Sequence, residues 1–293
     1  MPSCVIFDLT ALQDSSISRT HGAWLYSAFL SFMQGIDPDL SQKMHDNDTD
    51  DTPRLRPFTL SMLYGELEED GNLFKILVGN KVSFRVTGMD DEIMFFLRNL
   101  KISNPLNKMT VDNCLFDIAA IHKTPGICPE AITETYQELV SKYIMLDKNK
   151  ISNLPNRINF LFSSPTCFRD GHRFIPLPVP EKIFNGLVEK WESFSPISLK
   201  DECGDNLRDL VFAIAGNMTV GRFNIRSRVC DFGRYRVPGF IGECELYFHP
   251  EKGLPHSKAV LMKQFMHVLA DYSLYAGVGY HTTMGMGQVR IIS

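Results

Sequence analysis

The sequence has no apolar run approaching the ~18 residues of a membrane-spanning helix. It also lacks the basic region and apolar stretch of a secretory leader, and residues 1–12 read instead as a first strand. Cysteine is sparse and scattered: the seven (Cys4, Cys114, Cys128, Cys167, Cys203, Cys230, Cys244) are odd in number and nowhere closer than fourteen positions apart. No pair has the spacing of zinc ligands, so reduced thiols, mostly small core residues in a cytoplasmic protein, are expected. There is no Gly-Lys-Ser/Thr and no glycine fingerprint opening a helix, which excludes the common P-loop and dinucleotide-binding motifs. A basic excess is missing too, since 30 Lys and Arg face 34 Asp and Glu for a net charge of −4. Total charge therefore does not point to nucleic acid, and any such signal must be local.

What is present describes ample core. Hydrophobic residues make up 44% of the 293 and charged residues 22%, enough for one large domain or two ordinary ones. Taken in order, 5–9 reads as a strand, and 21–34 as a helix that Thr20 caps and Gly35 stops. Its apolar face is Trp24, Leu25, Ala28, Phe29 and Phe32. Asp37-Pro38 starts a short helical turn, and 45–57 is an acidic, proline-flanked loop. Strands follow at 58–64 and 81–87, with a turn at 66–72 between them. A helix opened by Asp90-Asp91-Glu92 runs through Leu100, and a strand covers 109–121. The order β-α-β-β-α-β is the ferredoxin-like unit. After a connector at 123–155 with a helix at 131–145, the order repeats: a strand at 157–162, a helix at 181–194, strand character at 210–214 and 218–229, a strand at 239–248, a helix at 257–275 and a last strand at 288–292. The expected fold is therefore α+β, with two tandem ferredoxin-like domains at 1–122 and 156–293.

Two stretches carry chemistry. Arg222, Arg226, Arg228, Arg234 and Arg236 fall within fifteen residues that hold one acid, Asp231. At period two, Arg222, Asn224, Arg226 and Arg228 share one strand face, with Phe223, Ile225 and Val229 on the other. A face biased to arginine suits phosphate, because the guanidinium fork bonds two phosphate oxygens at once. Phe232 and Tyr235 beside it have the character of base-stacking residues or of turn packing. The second stretch is Gly277-Val278-Gly279-Tyr280-His281-Thr282-Thr283-Met284-Gly285-Met286-Gly287, four glycines in eleven residues between a helix and the closing strand. Glycines at that density let backbone N–H groups approach phosphate, or else serve tight connections that need positive φ.

That terminal run resembles the C-terminal glycine-rich signature of the CRISPR-associated repeat-processing endoribonucleases, in the repeat-associated mysterious protein superfamily. Phe162-Ser163-Ser164-Pro165-Thr166-Cys167-Phe168-Arg169, with the later helix holding Trp191, is similar to their mid-chain motif. His21-Gly22-Ala23, Lys43-Met44-His45-Asp46 and Pro57-Phe58-Thr59-Leu60-Ser61 are similar to their first helix and the loop after it. The resemblance covers the chain in order and implies two ferredoxin-like domains that bind CRISPR repeat RNA and cut it without a metal or cofactor. It also implies RNA contacts from Gly277, Gly279, His281, Thr282, Thr283, Gly285 and Gly287 beside the five arginines.

Metal-independent RNA cleavage requires a deprotonated 2′-hydroxyl, a stabilised phosphate charge and a protonated 5′-oxygen. Histidine as a residue type suits either proton transfer. Of eight histidines, His45 stands on a loop bounded by Asp37-Pro38 and Pro57, where side chains face clefts more often than cores. The resemblance puts the family's catalytic histidine there. It matches Tyr26 to a tyrosine that joins the histidine in some members, and Arg56 to a position where some have a phosphate-stabilising lysine; Arg54 competes for that role. His21 is the rival histidine, read as helix-start packing against the second domain. Asp46, Asp48, Asp50 and Asp51 lack the spacing of a coordination loop, so no metal site is expected. A repeat-RNA-binding subunit of a larger CRISPR complex and a mononucleotide-binding enzyme are the other readings. The expected form is a monomer or homodimer with no membrane partner.

Overall fold

In a computed structural model of the chain, all residues are described except 46–54, 102–106, 127, 147–150, 152, 200–213 and 293. The chain divides into two compact units. The first is Met1–Thr133 with Asp231–Tyr235 and Thr283–Gly285, and the second is Glu134–Cys230, Arg236–Thr282 and Met286–Ser293.

The first unit runs β1 (Ser3–Ala11), β2 (Ser15–Ser18), α1 (Gly22–Gln34), α2 (Pro38–His45), β3 (Phe58–Leu60), β4 (Tyr64–Gly65), β5 (Glu68–Asp70), β6 (Leu73–Ile76), β7 (Lys81–Gly88), α3 (Asp91–Asn99), β8 (Lys108–Val111) and β9 (Cys114–His122). Its main sheet has the order β3-β7-β1-β9-β8. Taking β1, β3, β7 and β9 as the four strands of a β-α-β-β-α-β unit gives the antiparallel order 2-3-1-4, with α1 and α3 as the two helices. Alternation builds it: Val5, Phe7 and Leu9 of β1 and Val82, Phe84 and Val86 of β7 enter one core with Leu25, Phe29 and Met33 of α1. Each such side chain contributes about 1.5–3 kcal/mol by leaving water. Asp90 caps α3 by accepting from the Ile93 N–H.

Several local expectations change. The residue before α1 is His21, with no side-chain cap, and the Thr20 hydroxyl donates to the Asp231 carbonyl instead. Trp24 is half exposed rather than part of the apolar face. The strand expected at 58–64 is two short strands, and that at 109–121 is a hairpin turning at Asp112, which takes φ +55. The turn expected at 66–72 contains β5, part of a separate sheet of order β2-β6-β5.

The second unit comprises α4 (Tyr136–Ile144), β10 (Arg157–Thr166), β11 (Phe168–Asp170), β12 (Arg173–Ile175), α5 (Pro180–Phe194), β13 (Met218–Asp231), β14 (Arg236–Phe248), α6 (His256–Ala276) and β15 (Val289–Ile292). Its sheet order, β13-β14-β10-β15, is again 2-3-1-4. The helix expected at 131–145 starts later, at Tyr136, where Thr135 and Glu138 form a reciprocal capping box. Strand character expected at 210–214 falls mostly outside the described residues, and Ile214 itself is helical. Trp191 of α5 meets Tyr136 of α4 and Tyr272 of α6 edge-on, each at 5.0 Å between ring centres.

Candidate active site and RNA-facing surfaces

His45 is the last residue of α2 and is exposed, so it stands on a helix end rather than on the loop expected from proline spacing. Leu40 and Met44, one turn apart, bury against the core and make 38–45 helical. Three contacts fix α2. Asp37 accepts from the Leu40 N–H at 3.0 Å, Ser41 Oγ donates to the Leu30 carbonyl at 2.9 Å, and Lys43 pairs with Glu92 of α3 at 2.5 Å.

Tyr26 lies beside this helix end. Its hydroxyl reaches the Met44 carbonyl at a long 3.5 Å, and its ring lies parallel to Phe58 with centres 6.1 Å apart. Tyr26 thus bridges the residue before His45 and the strand that Arg56 leads into. Three segments carrying the three expected catalytic residues meet at one aromatic side chain. Arg56 is half-buried; Arg54 and the Asp46–Asp51 cluster lie outside the described residues.

His21 has a different place. It is fully buried, its Nδ1 faces the Ser18 carbonyl at 2.9 Å, and its Nε2 accepts from the Leu63 N–H at 2.8 Å. Burial pushes its pKa down to about 4. With Nε2 committed as an acceptor, the ring is neutral and structural. Its ring also meets that of Phe74, a residue of the first unit, edge-on at 6.2 Å between centres.

One constellation was not legible in the sequence. His122 Nε2 lies 2.7 Å from Asp8 Oδ2, and Ser83 Oγ donates to Asp8 Oδ1 at 2.7 Å. Residues 75 and 114 positions from Asp8 meet it only because β7 and β9 flank β1. The carboxylate sits in the middle, so the trio lacks the serine–histidine contact of an activated nucleophile.

The glycine run is built inward. Gly277, Gly279, Gly285 and Gly287 all take positive φ. A Cβ on Gly279 would lie 2.4 Å from the Cys167 carbonyl oxygen, and one on Gly287 only 2.1 Å from that of Val278. The amides of Gly277, Val278, Tyr280, Met286 and Gly287 donate to protein carbonyls, and that of Gln288 to Ser164 Oγ. These six groups are not the open phosphate cradle expected from glycine density; close backbone approach accounts for Gly279 and Gly287, while a Cβ on Gly285 would meet the Met62 side chain. Thr282 is buried, and Lys190, fully buried on α5, donates to its Oγ1 at 3.3 Å and to the Ala276 carbonyl at 2.5 Å. Burial lowers the Lys190 pKa to about 8. Gly279, Tyr280, His281, Thr283 and Met284 of the run are half-buried, and the rest of it is buried. Arg169 lies 5.6 Å over the Tyr280 ring. His281 holds φ +57, and burial, with Arg169 nearby, lowers its pKa to about 4, so it presents a neutral ring.

Arg222, Arg226, Arg228, Arg234 and Arg236 are all exposed along β13, the following turn and the start of β14. The expected apolar face of β13 is exposed as well, with Phe223 64% and Val229 56% accessible. Phe232 and Tyr235 stack on each other at 5.4 Å. This strand presents cationic and apolar groups together rather than covering a core.

The two units, each a β-α-β-β-α-β sheet of order 2-3-1-4, define a tandem ferredoxin-like protein. Residues 160–289 match the model of the family described as CRISPR-associated endoribonuclease Cas6. A Cas6 endoribonuclease from Streptococcus thermophilus is 21% identical over 133 residues, which cover 45% of this chain and 49% of that protein. The matched stretch thus spans about half the length of that relative. Among solved structures, a Cas6 product complex superposes with a TM-score of 0.74 at 24% identity, covering all of both chains. Thermus thermophilus Cas6 gives 0.68 at 23% identity, covering 100% of this chain and 98% of that one. The resemblance to the CRISPR repeat-processing endoribonucleases is borne out: in sequence it is carried by the second unit, and in fold by the whole chain.

Proposed function

We propose that the protein is an endoribonuclease that binds CRISPR repeat RNA and cuts the precursor transcript into guide RNAs without a metal. The observation that carries this reading is the meeting of α1, α2 and the lead into β3 at Tyr26, which gathers the His45, Tyr26 and Arg56 segments. In the proposed reaction the 2′-hydroxyl attacks the adjacent phosphorus, and the bond to the 5′-oxygen of the next nucleotide breaks. His45 exchanges the proton, Arg56 meets the phosphate charge and Tyr26 orients the site. The products are a 2′,3′-cyclic phosphate, or the 3′-phosphate from its hydrolysis, and a 5′-hydroxyl. The exposed arginines of β13 and its turn supply the electrostatic hold on RNA, aided by Tyr280, His281 and Thr283, half-buried residues of the glycine run.

Incubation of the purified protein with end-labelled repeat RNA in EDTA tests the reading. Discrete products with those termini are expected; tight binding with no cut would favour a non-cleaving repeat-binding subunit.

A further inference from the structure

The second sheet holds a polar pocket on the face away from its apolar core. Along β10, Ile158, Phe160 and Phe162 turn into the core while Asn159 points to the other face, opposite Glu245 of β14 and Ile292 of β15. A pocket of about 290 Å³ opens there, lined by Asn159, Arg222, Phe223, Asn224, Glu243 and Glu245. That size is at the small end for ligand sites.

The lining holds two unmet demands. Glu245 is 8% exposed; its Oε2 takes Arg157 Nη1 at 3.3 Å, while its Oε1 is buried without a hydrogen-bond partner in the protein. Asn159 Oδ1 is buried and equally unpartnered. Leaving buried acceptors unpaired is costly, and a carboxylate oxygen more so than an amide. Both atoms are acceptors, so a fitting occupant must bring hydrogen-bond donors. Phe223, 64% exposed, adds an apolar surface suited to a flat ring, and Arg222 adds a cation suited to an attached phosphate.

We propose that this pocket takes one guanine base of single-stranded RNA, an assignment that rests on the RNA-binding reading above. Guanine alone among the four bases presents two adjacent donors, N1–H and N2–H₂, on one edge. A carboxylate accepts that pair as a bidentate partner, and Asn159 Oδ1 is one strand away on the same face. Adenine and uracil offer a single donor beside an acceptor, which would face Glu245 with like against like.

The test is fluorescence anisotropy of the intact chain with short oligouridine RNAs carrying one central guanosine, inosine or adenosine. Guanosine should bind about tenfold or more tighter than adenosine, with inosine, which lacks the N2 amino group, in between. Glu245→Gln should erase the guanosine preference, bringing the guanosine and adenosine affinities together. Equal affinities for guanosine and adenosine, or a preference that survives Glu245→Gln, would overturn the pocket while leaving RNA binding itself intact. The absence of affinity for any of the oligonucleotides and for repeat RNA would overturn both. The inosine comparison needs no variant, so misfolding of Glu245→Gln would not rescue the proposal.

Discussion

His21 spends both ring nitrogens inside the first unit, on the Ser18 carbonyl and the Leu63 amide, with its side chain out of reach of solvent. Its pKa of about 4 when folded lies below the ordinary ~6.5 of an unfolded histidine. Between those values the unfolded chain binds more protons, so stability rises with pH across this window and is lost as pH falls through it. His281, lowered to the same value, adds in the same direction. Urea unfolding of the wild type should therefore weaken from pH 6.5 to pH 4, by up to about 3 kcal/mol from His21 alone. In His21→Gln the slope should be shallower. An unchanged slope would mean that His21 takes its proton in the folded state. His45 stands in contrast, exposed at the end of a helix held by Asp37, Ser41 and Lys43.

At the scale of elements, the glycine run shows how a motif can be correctly located and differently explained. Its density marks a special backbone, and all four glycines do take positive φ. What lies against Gly279 and Gly287 is the protein's own backbone, and the path of Pro165–Cys167 beside the run is part of it. Gly287→Ala would push a methyl to within 2.1 Å of the Val278 oxygen at φ +69 and should cost about 1–3 kcal/mol or more. Gly171→Ala, at φ +57 with open space around it, should cost about 1 kcal/mol or less. Thermal unfolding of the two variants side by side checks the contrast, and equal losses would remove the packing explanation. Elements with a strong period were legible from sequence: β1, β7, α3 and α6 fall within two residues of their expected bounds. The β5–β6 hairpin was not, because Glu68, Glu69 and Asp70 are all exposed and leave no alternation to read. The α2 helix was legible as the short helical turn opened by Asp37-Pro38, with Leu40 and Met44 as its apolar stripe, and it runs on through His45. His45 was expected on a loop and stands instead at the end of α2, while the His122–Asp8–Ser83 contacts depend on strand order and left no signal in the sequence.

At the scale of the whole molecule, one topology is used twice, and the net charge of −4 conceals a strand that is strongly cationic. Five exposed arginines on and after β13 are the proposed grip on phosphate. Replacing Arg226 and Arg228 with glutamate should weaken repeat-RNA binding by orders of magnitude at moderate salt. It should also flatten the plot of log affinity against log salt by about 2 if each arginine neutralises one phosphate. Unaltered affinity and slope would place the RNA elsewhere. Loss of binding by this route is separate from loss of chemistry, which is proposed to lie with His45 in the first unit.

Those two roles come apart in a single experiment: the rate of cleavage of labelled repeat RNA by His45→Ala, measured in EDTA beside the affinity of the same variant for the same RNA. Cleavage slowed by about 10²–10⁴-fold or abolished, with affinity kept, is the result expected of a general acid–base. Undiminished cutting by His45→Ala, or a requirement for added metal in the wild type, would contradict the account.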